Sequence, residues 1–186
     1  MVFFPDVHFE LFGGWIIASV YLILNIGIPL LRKGTLKRLL SQEKNDKLIN
    51  KINFLIGFLS WWGTVLIPIF LPLNFNSKYF SVGIILYLTG TVFTIISLWN
   101  YTFSSLDKVI TNGIYRFSRN PIYLAYFVLG YGIAFSVGSW FLVILHTVQN
   151  LTLHLTVLNE EKYCIKKYGE KYLNYYNKTP RYIGLI

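Results

Sequence analysis

The stretch SWFLVILHTVQNLTLHLTVLNEEKYCIKKYG, Ser139 to Gly169, decides the fold. From Ser139 to Tyr168 it holds neither glycine nor proline, so nothing in it interrupts a helix. A helix of that length extends about 45 Å. The hydrocarbon core of a bilayer is only about 30 Å thick. The helix should therefore leave the membrane carrying Glu160 and Glu161 with it, and break at Gly169. Beyond the break, Tyr172, Leu173, Tyr175 and Tyr176 interleave with Glu170, Lys171, Asn174 and Lys178. That pattern predicts an amphipathic C-terminal helix lying at the membrane surface, its tyrosines at headgroup level.

The rest of the chain repeats the apolar theme. Four more runs precede this one: Leu11–Leu31, Ile52–Leu73, Phe80–Asn100, and Pro121 to about Phe135. Pro68 and Pro72 should kink or end the second. Ser136 to Ser139 reads as a turn. Of the 186 residues, 54% are hydrophobic and 13% charged. Soluble domains carry about a quarter charged residues. The expected fold is therefore all-α and polytopic, with five transmembrane helices in one membrane domain over residues 1–186. Spans one to three occupy 1–106, and a hairpin with its tail occupies 107–186.

Charge orients the bundle. Seven Lys/Arg lie between Arg32 and Lys51, three more are Lys108, Arg116 and Arg119, and six follow Asn159; Lys78 stands alone on the other side. With five spans the three basic regions share one face, which the positive-inside rule places in the cytoplasm together with the C-terminus. The N-terminus is then outside. The basic residues sit in loops between apolar runs, so anionic lipid headgroups, and not nucleic acid, are their expected partners. Met1 to Glu10 lacks the basic start of a signal peptide, so the first run is expected to be retained. Cys164 is the only cysteine, which excludes an intrachain disulfide and a cysteine metal cluster.

Polar residues mark a site. His146, Gln149, Asn150, His154 and Thr156 fall within one half-turn of the last long helix, and Glu160 and Glu161 continue the stripe. Such residues face packed helices or a wet cavity. His146 and His154 stand about 12 Å apart along the axis, too far to share one ion, so no metal is expected. Asn120-Pro121 predicts a helix start, with asparagine as the cap and proline at the first helical position. The positive end of that helix, with Arg119, suits a carboxylate. Asp107, Glu160, Glu161 and the rings of Tyr115 and Tyr123 suit a cation. Together they suit a zwitterionic ligand held by helices.

The pattern Gly113-Ile114-Tyr115, Arg119-Asn120-Pro121-x-Tyr123, Glu160-Glu161, Tyr168-Gly169-x-x-Tyr172-x-x-Tyr175 and Pro180-Arg181 resembles the membrane methyltransferases. That family includes isoprenylcysteine carboxyl methyltransferase and phosphatidylethanolamine N-methyltransferase. The resemblance covers roughly Asp107 to Arg181; the first three spans match only in hydropathy. It implies S-adenosylmethionine, a zwitterion of the kind described, as cofactor. It places the cofactor against Asp107, Lys108, Val109, Ile110, Tyr115, Asn120, Pro121, Ile122, Tyr123 and Glu160. The substrate it implies is a membrane lipid or lipidated amphiphile with an amine, carboxylate or thiol nucleophile. His154 or Glu161 would accept a proton from an amine or thiol. The family often has histidine where Asn120 stands, and asparagine resembles the phospholipid branch. The prenylcysteine enzymes carry a substrate-contacting arginine where Thr156 stands. A membrane reductase using a nicotinamide cofactor, or a non-catalytic scaffold of the same fold, are the alternative readings.

Overall fold

The computed structural model describes residues 1–7, 10–40 and 48–183. Among these the chain is all-α, with no strands. The helices are α1 (Trp15–Leu30), α2 (Thr35–Leu40), α3 (Leu48–Leu66), α4 (Phe80–Phe103), α5 (Pro121–Val137), α6 (Trp140–Tyr168) and α7 (Glu170–Lys178). Short 3-10 turns follow α3 at Ile67–Phe70 and precede α5 at Gly113–Arg116. Pro68, which has no N–H for the helical ladder, sits in the first of them. Lys44 and Lys47 of the predicted basic loop lie outside the described residues.

Helix α6 runs from Trp140 to Tyr168 without interruption and ends at Gly169, where φ is +58°. Its first turn is capped from two directions. The Trp140 and Phe141 amides donate to the Val2 and Phe3 carbonyls at 2.9 Å each. The Leu142 amide donates to the Ser139 hydroxyl at 3.3 Å. These bonds satisfy N–H groups that a helix start leaves open. Gly138 makes the preceding turn tight, with φ +77° in the left-handed region that side chains avoid.

Long-range hydrogen bonds define the two ends of the bundle. At one end Gly14 N donates to Leu71 O (2.8 Å), Asn74 N to Ser136 O (3.0 Å) and Val2 N to Gly138 O (3.0 Å). The N-terminus, the α3–α4 loop and the α5–α6 turn therefore meet there. At the other end the Arg32 guanidinium donates to the Thr102 and Ser104 carbonyls, at 3.1 and 2.7 Å. Arg119 N donates to Pro180 O at 2.9 Å. The basic residues Arg32, Arg38, Arg119 and Arg181 gather at this second end.

Among the described residues, three helical segments are long and apolar enough to cross a membrane: Ile49–Phe70, Phe80–Phe103 and Trp140–Tyr168. Helices α1 and α5 are apolar but shorter, at 16 and 17 residues. Helix α1 is shorter than the run Leu11–Leu31 expected from sequence, whereas α5 extends slightly past its expected end near Phe135, to Val137. In α5 the limits are the Arg119–Pro121 loop and Gly138. Outward faces are apolar, with Ile85 62% and Leu151 65% exposed. Water would be a poor solvent for such faces, and lipid a good one.

Helices α4 and α5 lie backbone against backbone. A Cβ placed on Gly90 would come within 2.6 Å of Leu129 Cα, and one on Gly132 within 2.3 Å of Tyr87 N. Small residues at such points let apolar helices approach without a hydrophobic driving force. The polar stripe of α6 serves packing too. His146 is buried and hydrogen-bonds through its ring nitrogens to Gln149 Oε1 (3.1 Å) and to the Phe127 carbonyl of α5 (3.2 Å). On the other side of α6, Asn53 of α3 donates to Thr152 O at 3.2 Å. A side chain at Gly132 must push α4 and α5 apart. Gly132→Val should cost about 2–3 kcal/mol, read by unfolding in mixed micelles. Gly27→Ala, where an added Cβ meets nothing within 4 Å, should not destabilise.

Candidate functional site

Where α6 passes the end of α5, two adjacent glutamates point into different surroundings. Glu161 is the buried one. Its Oε1 accepts from Arg119 Nε at 3.1 Å and from Asn120 Nδ2 at 3.0 Å. Its Oε2 accepts from Arg181 Nε and Nη2 at 3.0 and 2.9 Å. The Arg119 and Glu161 side chains are 3% and 4% exposed. Arg119 Nη1 also donates to Tyr176 O at 2.7 Å and to Thr179 O. Its guanidinium lies over the Tyr176 ring, 4.0 Å from the centroid. The hydrogen bond from Arg181 to Glu161 raises the pKa of that guanidinium.

The same corner ties the tail to the loop before α5. Ser118 Oγ donates to Arg181 O at 2.9 Å. The Tyr175 hydroxyl donates to Tyr115 O at 2.6 Å. Helix α7 thus folds back over the loop, with Tyr172 and Tyr175 buried beneath it.

Glu160 faces a cavity. Tyr123 Oη donates to its Oε1 at 2.7 Å. The cavity holds about 800 Å³ and is walled by α2, α3, α4, the pre-α5 loop, α5, α6 and α7. Tyrosines form much of the wall, among them Tyr101, Tyr115, Tyr123, Tyr126, Tyr172 and Tyr175. Burial holds the phenols of Tyr115, Tyr172 and Tyr175 above the ordinary tyrosine range. They therefore present neutral hydroxyls and ring faces at physiological pH.

Most of the residues expected from sequence meet here. Val109, Ile110, Tyr115, Arg119, Asn120, Ile122, Tyr123, Thr156, Glu160 and Glu161 all line the cavity. Others do not. Asp107 and Lys108 are exposed, outside the lining. Pro121 is buried at the first position of α5, also outside it.

Three of the expected roles meet competing partners in the structure. His154 stands outside the cavity lining, its Nδ1 3.1 Å from the Tyr182 hydroxyl, so a proton-accepting role does not suit its position. Both oxygens of Glu161 are engaged by cations and an amide, which makes it a clamp and a poor proton acceptor. Asn120 occupies the cap position of α5, but its side chain makes no cap bond. The buried Glu161 carboxylate is the stronger acceptor, and it takes the amide.

Sequence reading missed the N-terminal wall of the cavity: Arg38, Asn50, Lys51, Asn53, Phe54 and Tyr101. The available signal was Asn50 and Asn53, two amides bordering an apolar run. It also left Arg181 in a motif without a role, although this residue completes the Glu161 cluster. Among the described residues, no group of three His, Cys, Asp or Glu side chains could hold a metal ion.

The fold and cavity define a helical membrane protein with a polar site at the basic end of its bundle. The phospholipid methyltransferase family model matches residues 78–171. The chain belongs to that family, and so in class to the membrane methyltransferases. No curated protein matches the chain. The family match covers α4, α5 and α6, and leaves α1 to α3 outside it.

Loss of Glu161 would strand two arginines, one of them buried. Glu161→Ala should therefore cost about 3–5 kcal/mol. Glu160→Gln keeps an acceptor for Tyr123 and should change stability by less than about 1 kcal/mol. Denaturant titration in micelles compares the two.

Proposed function

We infer that the protein transfers a methyl group from S-adenosylmethionine to a lipid or lipid-like amphiphile at the membrane. The observation that carries this reading is the cavity itself. Helices of the family-matched region wall it, and Glu160 stands among tyrosine rings on its surface. The residues present fit that cofactor. Ring faces and a carboxylate attract a cationic centre. Main-chain amides at the start of α5, whose asparagine does not cap them, suit its carboxylate. Val109, Ile110, Tyr115, Ile122, Tyr123 and Glu160 would hold it.

The cofactor supplies a sulfonium methyl group for direct displacement by the acceptor's lone pair. The chain's part is alignment and exclusion of water. Positive charge on sulfur disperses in the transition state, so a carboxylate tightly paired to it would not speed the step. Glu160 therefore serves binding. The acceptor we favour is a phospholipid amine. Thr156 brings no positive charge to pair with a carboxylate acceptor. An amine must arrive with its lone pair free, and apolar wall residues such as Phe54, Ile110 and Ile122 favour the neutral form by desolvation. Its proton leaves to water as it enters.

The basic end of the bundle, which holds the cavity, is assigned to the cytoplasmic face, with the N-terminus opposite and five crossings in all. Support comes from the hydrogen bonds that bring the N-terminus, the α3–α4 loop and the α5–α6 turn to one end. Anionic headgroups then border the cavity mouth.

Purified protein in native lipid, given methyl-labelled cofactor, should yield a labelled lipid by mass spectrometry. Glu160→Ala should raise the cofactor Kd at least about tenfold, roughly 1.4 kcal/mol, by titration calorimetry. Binding of a reduced nicotinamide in place of the cofactor would identify a reductase; binding of neither, a scaffold.

A further inference from the structure

The chain between the end of α4 and the start of α5 brings Val109, Ile110 and Tyr115 to the cavity. Its regular structure is the single 3-10 turn Gly113–Arg116. Bonds within the turn hold its shape: Tyr115 N donates to Asn112 O at 3.2 Å, and Phe117 N to Ile114 O at 3.1 Å. They do not hold its place against the bundle. Side chains from two helices do that. From α7 the Tyr175 hydroxyl donates to Tyr115 O at 2.6 Å. From α4 the side chain of Asn100 takes the neighbouring amide: Ile114 N donates to its Oδ1 at 3.0 Å.

Asn100 lies in the last turn of α4 and outside the cavity lining. The helix end that presents it is itself fixed. Ser104 Oγ donates back to Asn100 O, and the Arg32 guanidinium holds the Thr102 and Ser104 carbonyls. Gly113 fits against this side chain. Its φ is +57°, in the left-handed region, and a Cβ added there would overlap Asn100 Oδ1. Glycine is therefore required twice, by the backbone and by the asparagine seated on it. The run Gly113-Ile114-Tyr115 is in this sense the footprint of Asn100. Without Oδ1, the Ile114 N–H loses its acceptor, and an amide left unpaired drives the backbone to rearrange. Tyr115, the next residue, is buried on the cavity wall and moves with it.

We propose that Asn100 is a positioning residue for the methyl-donor site: its bond to the Ile114 amide, seated against Gly113, sets Tyr115 in place to hold the cofactor. This rests on the methyltransferase reading above. It adds a residue that touches neither the cavity nor its contents.

The test titrates S-adenosylmethionine into the full-length protein in micelles by calorimetry, which reads Kd and the number of sites separately. Asn100→Ala should raise Kd about tenfold, the worth of one hydrogen bond at the upper end of its range, with the site number kept. Asn100→Asp keeps an oxygen for the Ile114 amide and should stay within about twofold of wild type. Gly113→Ala displaces the Asn100 side chain and should weaken binding at least as much as Asn100→Ala. The double variant should then match Gly113→Ala within about twofold, because both changes remove one contact. Hydrogen exchange of the cofactor-free protein gives a second reading. Protection of the Ile114 amide should fall in Asn100→Ala and persist in Asn100→Asp. An unchanged Kd in Asn100→Ala would overturn the proposal, as would a lowered site number at unchanged Kd, the mark of a residue that only supports folding. So would a loss in Asn100→Asp equal to that in Asn100→Ala, or losses that multiply in the double variant. Failure of wild type to bind the cofactor, with Ile114 exchange behaving as described, would instead overturn the methyltransferase reading and leave the tether of the loop standing.

Discussion

One buried carboxylate holds the basic end of this protein together. Glu161 is reached by Arg119 and Asn120 from the loop before α5, and by Arg181 from the tail after α7. Two stretches of chain far apart in sequence end on its two oxygens. A buried ion pair gives little net stability compared with apolar packing of the same size, because desolvation offsets the attraction. Its effect here is on geometry. Any other meeting of these segments would leave a charge buried alone, so the arrangement excludes alternatives at high cost. Glu160, the next residue, is thereby aimed at the cavity.

The bundle around this corner depends on a second constraint, the backbone contact of α4 and α5 at Gly90 and Gly132. In lipid, apolar side chains gain little by leaving one another or joining, so close packing and interhelical hydrogen bonds decide association. His146 supplies such a bond between α6 and α5, and Asn53 supplies one between α3 and α6. The polar stripe on α6 therefore divides by depth. Its upper members hold helices together, and its lower members, Thr156 to Glu160, line the cavity.

Much of the fold was legible in order along the chain. The limits of α6 follow from a run without glycine or proline, and the tail helix from alternating tyrosines and charges. Residues from Val109 to Glu160 were identified because they recur in a family pattern, and most of them do meet at one cavity. Three expected roles meet competition in the fold. His154, Glu161 and Asn120 were each given the role that their chemistry permits in isolation. In the folded chain each has a competing partner: Tyr182 for His154, two arginines for Glu161, and Glu161 itself for Asn120.

By itself the sequence determined what is periodic and local. Hydropathy, helix breaks and the distribution of Lys and Arg depend on neighbours within a few turns, so the apolar helices and the basic face could be read directly. Only the tertiary structure decided which residues of the N-terminal half line the cavity. Asn50 and Asn159 are separated by 109 positions, and Asn53 and Thr152 by 99. No local rule pairs residues at such distances. Their pairing is set by packing, and it brings α3 to the cavity wall.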